Sequence, residues 1–317
     1  MFSFPPQLVG RVWRLGKLRH SRAFSTTLEV HSISEPTNYC RDLVRKHDYE
    51  AFLISQLYPR RYQPGYYALR AFYIELATVK EAVSQIALGQ GRFVFWRNAV
   101  KDIFRNQPPR HPVAMALFQT TKNSQLSPYH FQRMIDAREE ELLSPAHLTV
   151  ESMTAHAEST SSTFFYLILS LLGQQSDTLS HAASHLGVAH SFTTLLRAFP
   201  FHIAQGVMVI PAEITAKHGV NQQEVFTKRE TSKELEDTVF EFATIANDHL
   251  MTAREMFKET GGKVPQEVMP LFSAGIPTAS ILARLEAVNF NVFHPTLQMR
   301  DWRLPWRVLR SYYKRTF

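Results

Sequence analysis

Four groups of residues in this sequence have types and spacings capable of chemistry. His181 and His185 stand four apart, so on a helix both imidazoles leave one face and can share a metal ion. No His-Glu signature and no third ligand at metal spacing goes with them. The same spacing is common on ordinary helices, and His190, further along, adds no motif. Glu75 and Glu81 are six apart, about 120° from a common helical face, which argues against a paired-carboxylate site. In DAREEEL at 136–142, Asp136 shares a face with Glu140, and Arg138 with Leu142; three successive Glu usually mark a solvated face. The fourth group is the C-terminal RDWRLPWRVLRSYYKRTF at 300–317, with six Lys or Arg against one acid. It suits an anionic membrane surface met through Arg300, Trp302, Arg303, Trp306, Arg307 and Arg310. It equally suits a terminal helix that packs its Trp residues on the core and solvates its Arg residues. Cys40, the single cysteine, allows neither an internal disulfide nor a thiolate zinc site. Neither a Gly-rich phosphate loop nor a G-x-S-x-G elbow occurs.

The elements that must position these residues are helices. Apolar residues recur every three or four positions over 64–86 and 91–106. Ser127-Pro128 opens a helix to about Leu143, and 148–172, 176–205, 276–288 and 302–315 read likewise. Thr231 and Glu234 have capping-box spacing and start a helix through 260. Pro200 should kink or break the 176–205 helix. VMVIP at 207–211 is at most a short extended segment. The expectation is one all-α domain of about ten or more helices. The apolar run FFYLILSLLG at 164–173 is too short to span a membrane and predicts a buried helix.

Charge is unevenly distributed. The formal net charge is +7, but residues 1–28 hold five Lys or Arg and no acid. Leu8, Val12, Leu15 and Leu18 share a helical face there. An Arg-rich, acid-free, amphipathic start is the composition of a mitochondrial presequence. Arg22-Ala23-Phe24-Ser25 predicts cleavage between Phe24 and Ser25, leaving 25–317 as a single domain. Without those five cations, 30 Lys or Arg face 28 Asp or Glu, a balance that does not suit a general nucleic-acid binder.

One long interval lacks carboxylates altogether: no Asp or Glu occurs between Asp177 and Glu213. Within it, AHSFTTLLRAFPFHIAQGVMVIP resembles the second signature of the squalene and phytoene synthases. ALRAFYIELATVKEAV at 68–83 resembles the helix that carries their first signature. FWRNAV at 95–100 and HAESTSSTFFYLILSLLG at 156–173 are similar to segments that follow the first signature and precede the second. The resemblance implies an all-α isoprenoid synthase-type bundle with a central cavity. It also implies two aspartate-bearing faces that hold Mg²⁺, which in turn holds a substrate diphosphate. In this chain the three Asp of the first signature fall on Ala77, Thr78 and Glu81, and the two of the second on Ala198 and His202. Arg197 is kept. If each lost charged contact is worth about 1.5–3 kcal/mol, four losses amount to roughly 6–12 kcal/mol. The resemblance therefore implies a synthase fold without metal, cofactor or catalysis.

Two rival readings stay open at this stage. Glu75, Glu81 and Glu140 could serve as substitute metal ligands for a prenyl-diphosphate transferase, or the cavity could bind an isoprenoid or lipid without chemistry. YCRDLVRKHDYEAFL at 39–53, ALRAFYIELATVK at 68–80, HAASHLG at 181–187 and NFNVFHPTLQ at 289–298 are similar to a mitochondrial branch of the superfamily. That similarity implies a matrix protein, peripheral on the inner membrane. Its implied partners are an early membrane-arm subunit of respiratory complex I or other assembly factors, with no nucleic acid.

Overall fold

The computed structural model describes residues 35–83 and 85–317, so the expected presequence and its Phe24-Ser25 junction lie outside the described residues. Among the described residues the α-helices are α1 (Pro36–His47), α2 (Tyr49–Ser55), α3 (Gln63–Ala77), α4 (Val79–Ala82), α5 (Ile86–Phe104) and α6 (Pro112–Lys122). They continue with α7 (Pro128–Leu143), α8 (Val150–Ala157), α9 (Thr163–Leu172), α10 (Asp177–Arg197), α11 (Phe199–Ala204) and α12 (Ala212–Lys217). The last five are α13 (Gln222–Lys228), α14 (Lys233–Glu255), α15 (Met269–Phe272), α16 (Gly275–Ala287) and α17 (Leu304–Lys314). No strand occurs among the described residues, as the helical periodicity requires.

α10 runs through both parts of the core. Its first half buries Ala182, Ala183 and Leu186 with the aromatic cluster of α3, α5 and α7. There Phe72 meets Trp96 and Phe131 edge-on, at 5.1 and 5.3 Å between ring centres. Its second half buries Phe192, Leu196 and Val188 against α14, where Phe192 stacks on Phe242 at 4.7 Å. The small residues of HAASHLGVA let neighbouring backbones approach. Gly187 is the tightest point: a Cβ there would collide with the backbone of Ser162. Ser162 ends a π-helical turn, Glu158–Ser162, between α8 and α9, and its Oγ donates to the Ser184 carbonyl at 2.7 Å.

Four expectations need correction. The 64–86 helix is not continuous. α3 stops at Ala77, and Thr78 leaves helical geometry at φ −91°, ψ 0°. The Thr78 hydroxyl donates back to the Ile74 carbonyl at 2.9 Å, a local bond that competes with the helical ladder. The next long helix starts at Ile86 rather than 91. The 176–205 helix, by contrast, breaks as Pro200 requires: it stops at Ala198 and resumes as α11 with that proline in its first turn. α14 is capped by Ser232, whose Oγ accepts from the Leu235 N–H at 3.3 Å, and not by Thr231. α14 also ends at Glu255 rather than 260. That register sends Leu235, Val239 and Phe242 into the core.

Residues 207–211 are irregular, with a bend at Ile210, and the following Ala212 and Glu213 N–H groups donate to the His147 and Leu148 carbonyls, each at 3.0 Å. Gly187→Ala is expected to destabilise the fold by at least about 1–3 kcal/mol, because the obstacle is backbone and not a flexible side chain. Chemical denaturation of the two proteins measures this; an unchanged midpoint would show that α10 and the π turn have room to separate.

Candidate functional site

α3 and α10 both end at a cavity of about 570 Å³. All six residues at the degenerate signature positions line it: Ala77, Thr78, Glu81, Arg197, Ala198 and His202. The two helix breaks at Thr78 and Ala198 thus both face the cavity. α2, α7 and α8 and the approach to α17 complete the enclosure, with Ile74, Met153, Leu195 and Val209 as apolar lining.

The cavity wall holds five carboxylates, and four of them are paired with arginine. Arg70 is buried and donates through Nε to Asp48 Oδ2 at 2.9 Å, with a closer contact from Nη2. Its guanidinium also lies over the rings of Tyr73 and Phe164, at 4.8 and 4.9 Å. Asp48 Oδ1 caps α2 by accepting from the Ala51 N–H at 2.9 Å. Burial alone would raise the Asp48 carboxyl, but Arg70 and the Ala51 N–H outweigh it and hold it below its usual range. Arg138 pairs with Glu141 at 2.6 Å and donates to Tyr73 Oη at 3.1 Å; Tyr73 Oη in turn lies 3.0 Å from Ser161 Oγ. Here too burial opposes ionisation, yet the Arg138 charge holds Glu141 at about 2. Arg197 meets Glu50 at 2.8 Å. Asp301 accepts from Ser280 Oγ at 3.0 Å and lies 3.4 Å from Arg307 Nη1. Glu81 is the lining acid with no ion pair among the described residues.

The residues weighed in the sequence fall differently from their spacing. Glu75 and Glu140 do not line the cavity, so they do not join Glu81 as a ligand set. The acid of DAREEEL that lines the cavity is Glu141, and its Arg138 partner three residues earlier was the local signal for it. Asp136 and Glu139 instead hold Arg97 of α5. Asp48 and Arg70 are 22 residues apart, and no local pattern announces them. His185 has its Nδ1 2.8 Å from His249 Nδ1 of α14, and its ring lies 4.8 Å from that of His181. Among the described residues no group of three or more His, Cys, Asp or Glu is placed to hold a metal ion. His190 lines the cavity, with Nδ1 3.4 Å from Thr278 Oγ1. Burial, with Lys80 adding to it, also lowers His202.

The C-terminal helix resolves its two readings in part. Leu304, Val308 and Ser311 are buried, whereas Trp302 and Trp306 are 73% and 69% exposed, so the tryptophans do not pack on the core. Arg300 stacks over Tyr49 at 5.0 Å, and Arg300, Asp301 and Leu304 line the cavity. Arg303 lies over the Trp302 ring, and Arg307 donates to Ser280 Oγ at 2.9 Å. No helix among the described residues is long and apolar enough to cross a membrane.

Residues 44–310 match the squalene/phytoene synthase family. The chain belongs to that family. It is 37% identical over 295 residues to "NADH dehydrogenase (ubiquinone) complex I, assembly factor 6" of Rattus norvegicus, spanning 93% of this chain and 87% of that protein. The Homo sapiens protein of the same name is 35% identical over 88% of this chain and 83% of its own. In three dimensions the fold is similar to a crystal structure of a dehydrosqualene synthase, with a TM-score of 0.76 at 17% identity over 88% of this chain and 96% of that one. The all-α isoprenoid synthase-type bundle is thereby shown. The family's cavity is where the signature positions of this chain converge.

Two consequences can be measured. Arg70→Met leaves Asp48 buried without its partner and is expected to cost about 3–5 kcal/mol of stability. A loss below about 1 kcal/mol would mean that solvent already screens the pair. The second concerns pH. Burial pushes the His156 imidazole down to about 4 against the opposing pull of Glu141, and burial with the Arg70 charge brings His190 to about 4. Both stay neutral in the folded chain at pH values where an unfolded imidazole, near 6.5, already takes a proton. The unfolded state then binds more protons, so their stabilising effect is complete above about pH 6.5 and is lost as pH falls toward 4. The urea midpoint should therefore drop between pH 7 and pH 5, and His190→Gln should flatten that drop.

Proposed function

We propose that this chain is a non-enzymatic assembly factor for mitochondrial respiratory complex I, built on a synthase bundle that has lost its metal chemistry. One arrangement carries this reading. Four of the five signature carboxylates are replaced, and four of the five acids that do line the cavity are held by Arg70, Arg138, Arg197 and Arg307. A divalent cation of the Mg²⁺ type needs several free oxygen ligands at once. Drawing them from these pairs would leave the largely buried Arg70 and Arg138 guanidinium groups uncompensated, at a cost of several kcal/mol each. Glu81 alone cannot clamp a diphosphate through metal.

The assembly role is supported by the likeness to the complex I assembly factor 6 proteins, which extends over most of both chains. The rest of the reading follows from it and from the sequence. Residues 1–24 act as a presequence released between Phe24 and Ser25, and the mature chain works in the matrix against the inner membrane. Its partner there is an early membrane-arm subunit of complex I or another assembly factor. A second reading is favoured by the cavity itself, which has not been filled: about 570 Å³ with part of its wall apolar is room for a lipid or isoprenoid tail held without chemistry.

Calorimetric titration with a farnesyl diphosphate analogue tests the enzymatic side. Binding is expected to be absent or independent of Mg²⁺; tight binding only in its presence would restore the transferase reading. In cells lacking this protein, Glu81→Ala should rescue assembled complex I to the wild-type level on native gels. Loss of rescue by a variant that folds normally would mean that the last signature acid still does work.

A further inference from the structure

We propose that α17 lays its outward aromatic face on an anionic lipid bilayer. The inference rests on the peripheral-membrane reading above and assigns it a surface.

α17 has two apolar faces on opposite sides. Leu304, Val308 and Ser311 fill the core-facing side. Trp306, Leu309 and Tyr313 follow one another by three and four residues, so all three fall within about 60° on the far side, and the exposed Trp302 stands in the turn that leads into the helix. Tyr313 is 75% exposed, and Leu309 and both tryptophans are exposed as well. An amphipathic helix needs only one apolar face to join a core. The second face here is unpartnered and is made of residue types whose amphipathic rings settle at headgroup depth.

Charge identifies what covers that face. Arg303, Arg307, Arg310 and Lys314 line one flank, about 100° round from the aromatic stripe. Among the described residues Arg307 is the one of these four that pairs with an acid. Long basic side chains beside an apolar stripe can reach up to phosphates while the stripe sinks below them. The convex aromatic ridge of one helix fits a deformable, negatively charged sheet of headgroups.

The platform is held firmly. The Val264 N–H donates to the Arg315 carbonyl, and Arg315 Nε donates to the Val264 carbonyl, each at 2.9 Å. Phe317 is buried against Phe257 and Phe272, over Gly275, and its carbonyl accepts from Arg254. The aromatic ridge is therefore presented without peeling the helix from the core.

Tryptophan emission of the full chain carrying Trp13→Phe isolates the ridge, since Trp96 is buried and the remaining two tryptophans are Trp302 and Trp306. Vesicles of brominated phosphatidylcholine containing roughly one third phosphatidylglycerol are expected to blue-shift and quench the emission, and neutral vesicles to do neither. Reversing two cations, Arg303→Glu with Arg310→Glu, should weaken this partitioning about 30-fold or more, from a roughly fivefold loss per cation. Circular dichroism of the variant confirms that it folds. Co-sedimentation in the same samples separates the two readings. Binding to vesicles with unchanged emission would keep peripheral attachment and overturn the assignment to α17. No binding at all would overturn both and leave an acidic protein surface as the partner of the ridge.

Discussion

A carboxylate cannot remain ionised inside a protein unless something answers its charge. That constraint organises the centre of this molecule. In a synthase of this fold family, metal ions would answer the acids at the cavity. Here arginines from several helices do so: Arg70 for Asp48, Arg138 for Glu141 and Arg197 for Glu50. Two of the pairs tie separate elements, α3 to the start of α2 and α10 to α2, while Arg138 and Glu141 both stand on α7. Tyr73 and Ser161 extend the Arg138 pair to the π turn, which Gly187 allows to press against α10. The polar interior thus helps to join the two parts of the core, and it does so with groups that also line the cavity.

Much of the architecture could be read from local chemistry. Ser127-Pro128 marks the start of α7, and the three-four periodicity ends it at Leu143. Pro200 forces the end of α10 within two residues. The break at Thr78 was not legible, because Thr is tolerated within helices and only its bond back to Ile74 marks the stop. Ser232 and Thr231 both offer a cap, and the choice is made by which register buries Leu235 and Val239. Tertiary packing decides such cases, and a single sequence does not display it.

The candidate site divides in the same way. The signature positions were legible because their spacing along two helices is fixed, and all six converge on the cavity. Glu141 was one residue from the acid that spacing favoured, and its i,i+3 arginine was the missed clue. The Asp48–Arg70 pair could not be found from either segment alone. For the C-terminal helix, composition allowed burial or exposure of the tryptophans equally; the placement of Leu304 and Val308 on the core decides it, since the opposite side must then face outward.

The ends of α3 and α10 have one more effect. Both helices terminate at the cavity wall with their carbonyl ends, at Ala77 and Arg197. A helix carries roughly half a negative charge at that end. Two such ends bias the backbone potential at the wall toward negative, partly offset by the N-terminal ends of the short α4 and α11, which follow directly on Thr78 and Ala198. Arg197, in the last turn of α10, sits where that potential is strongest and offsets part of it. The space that remains is electrostatically better suited to an uncharged or cationic guest than to a bare anion.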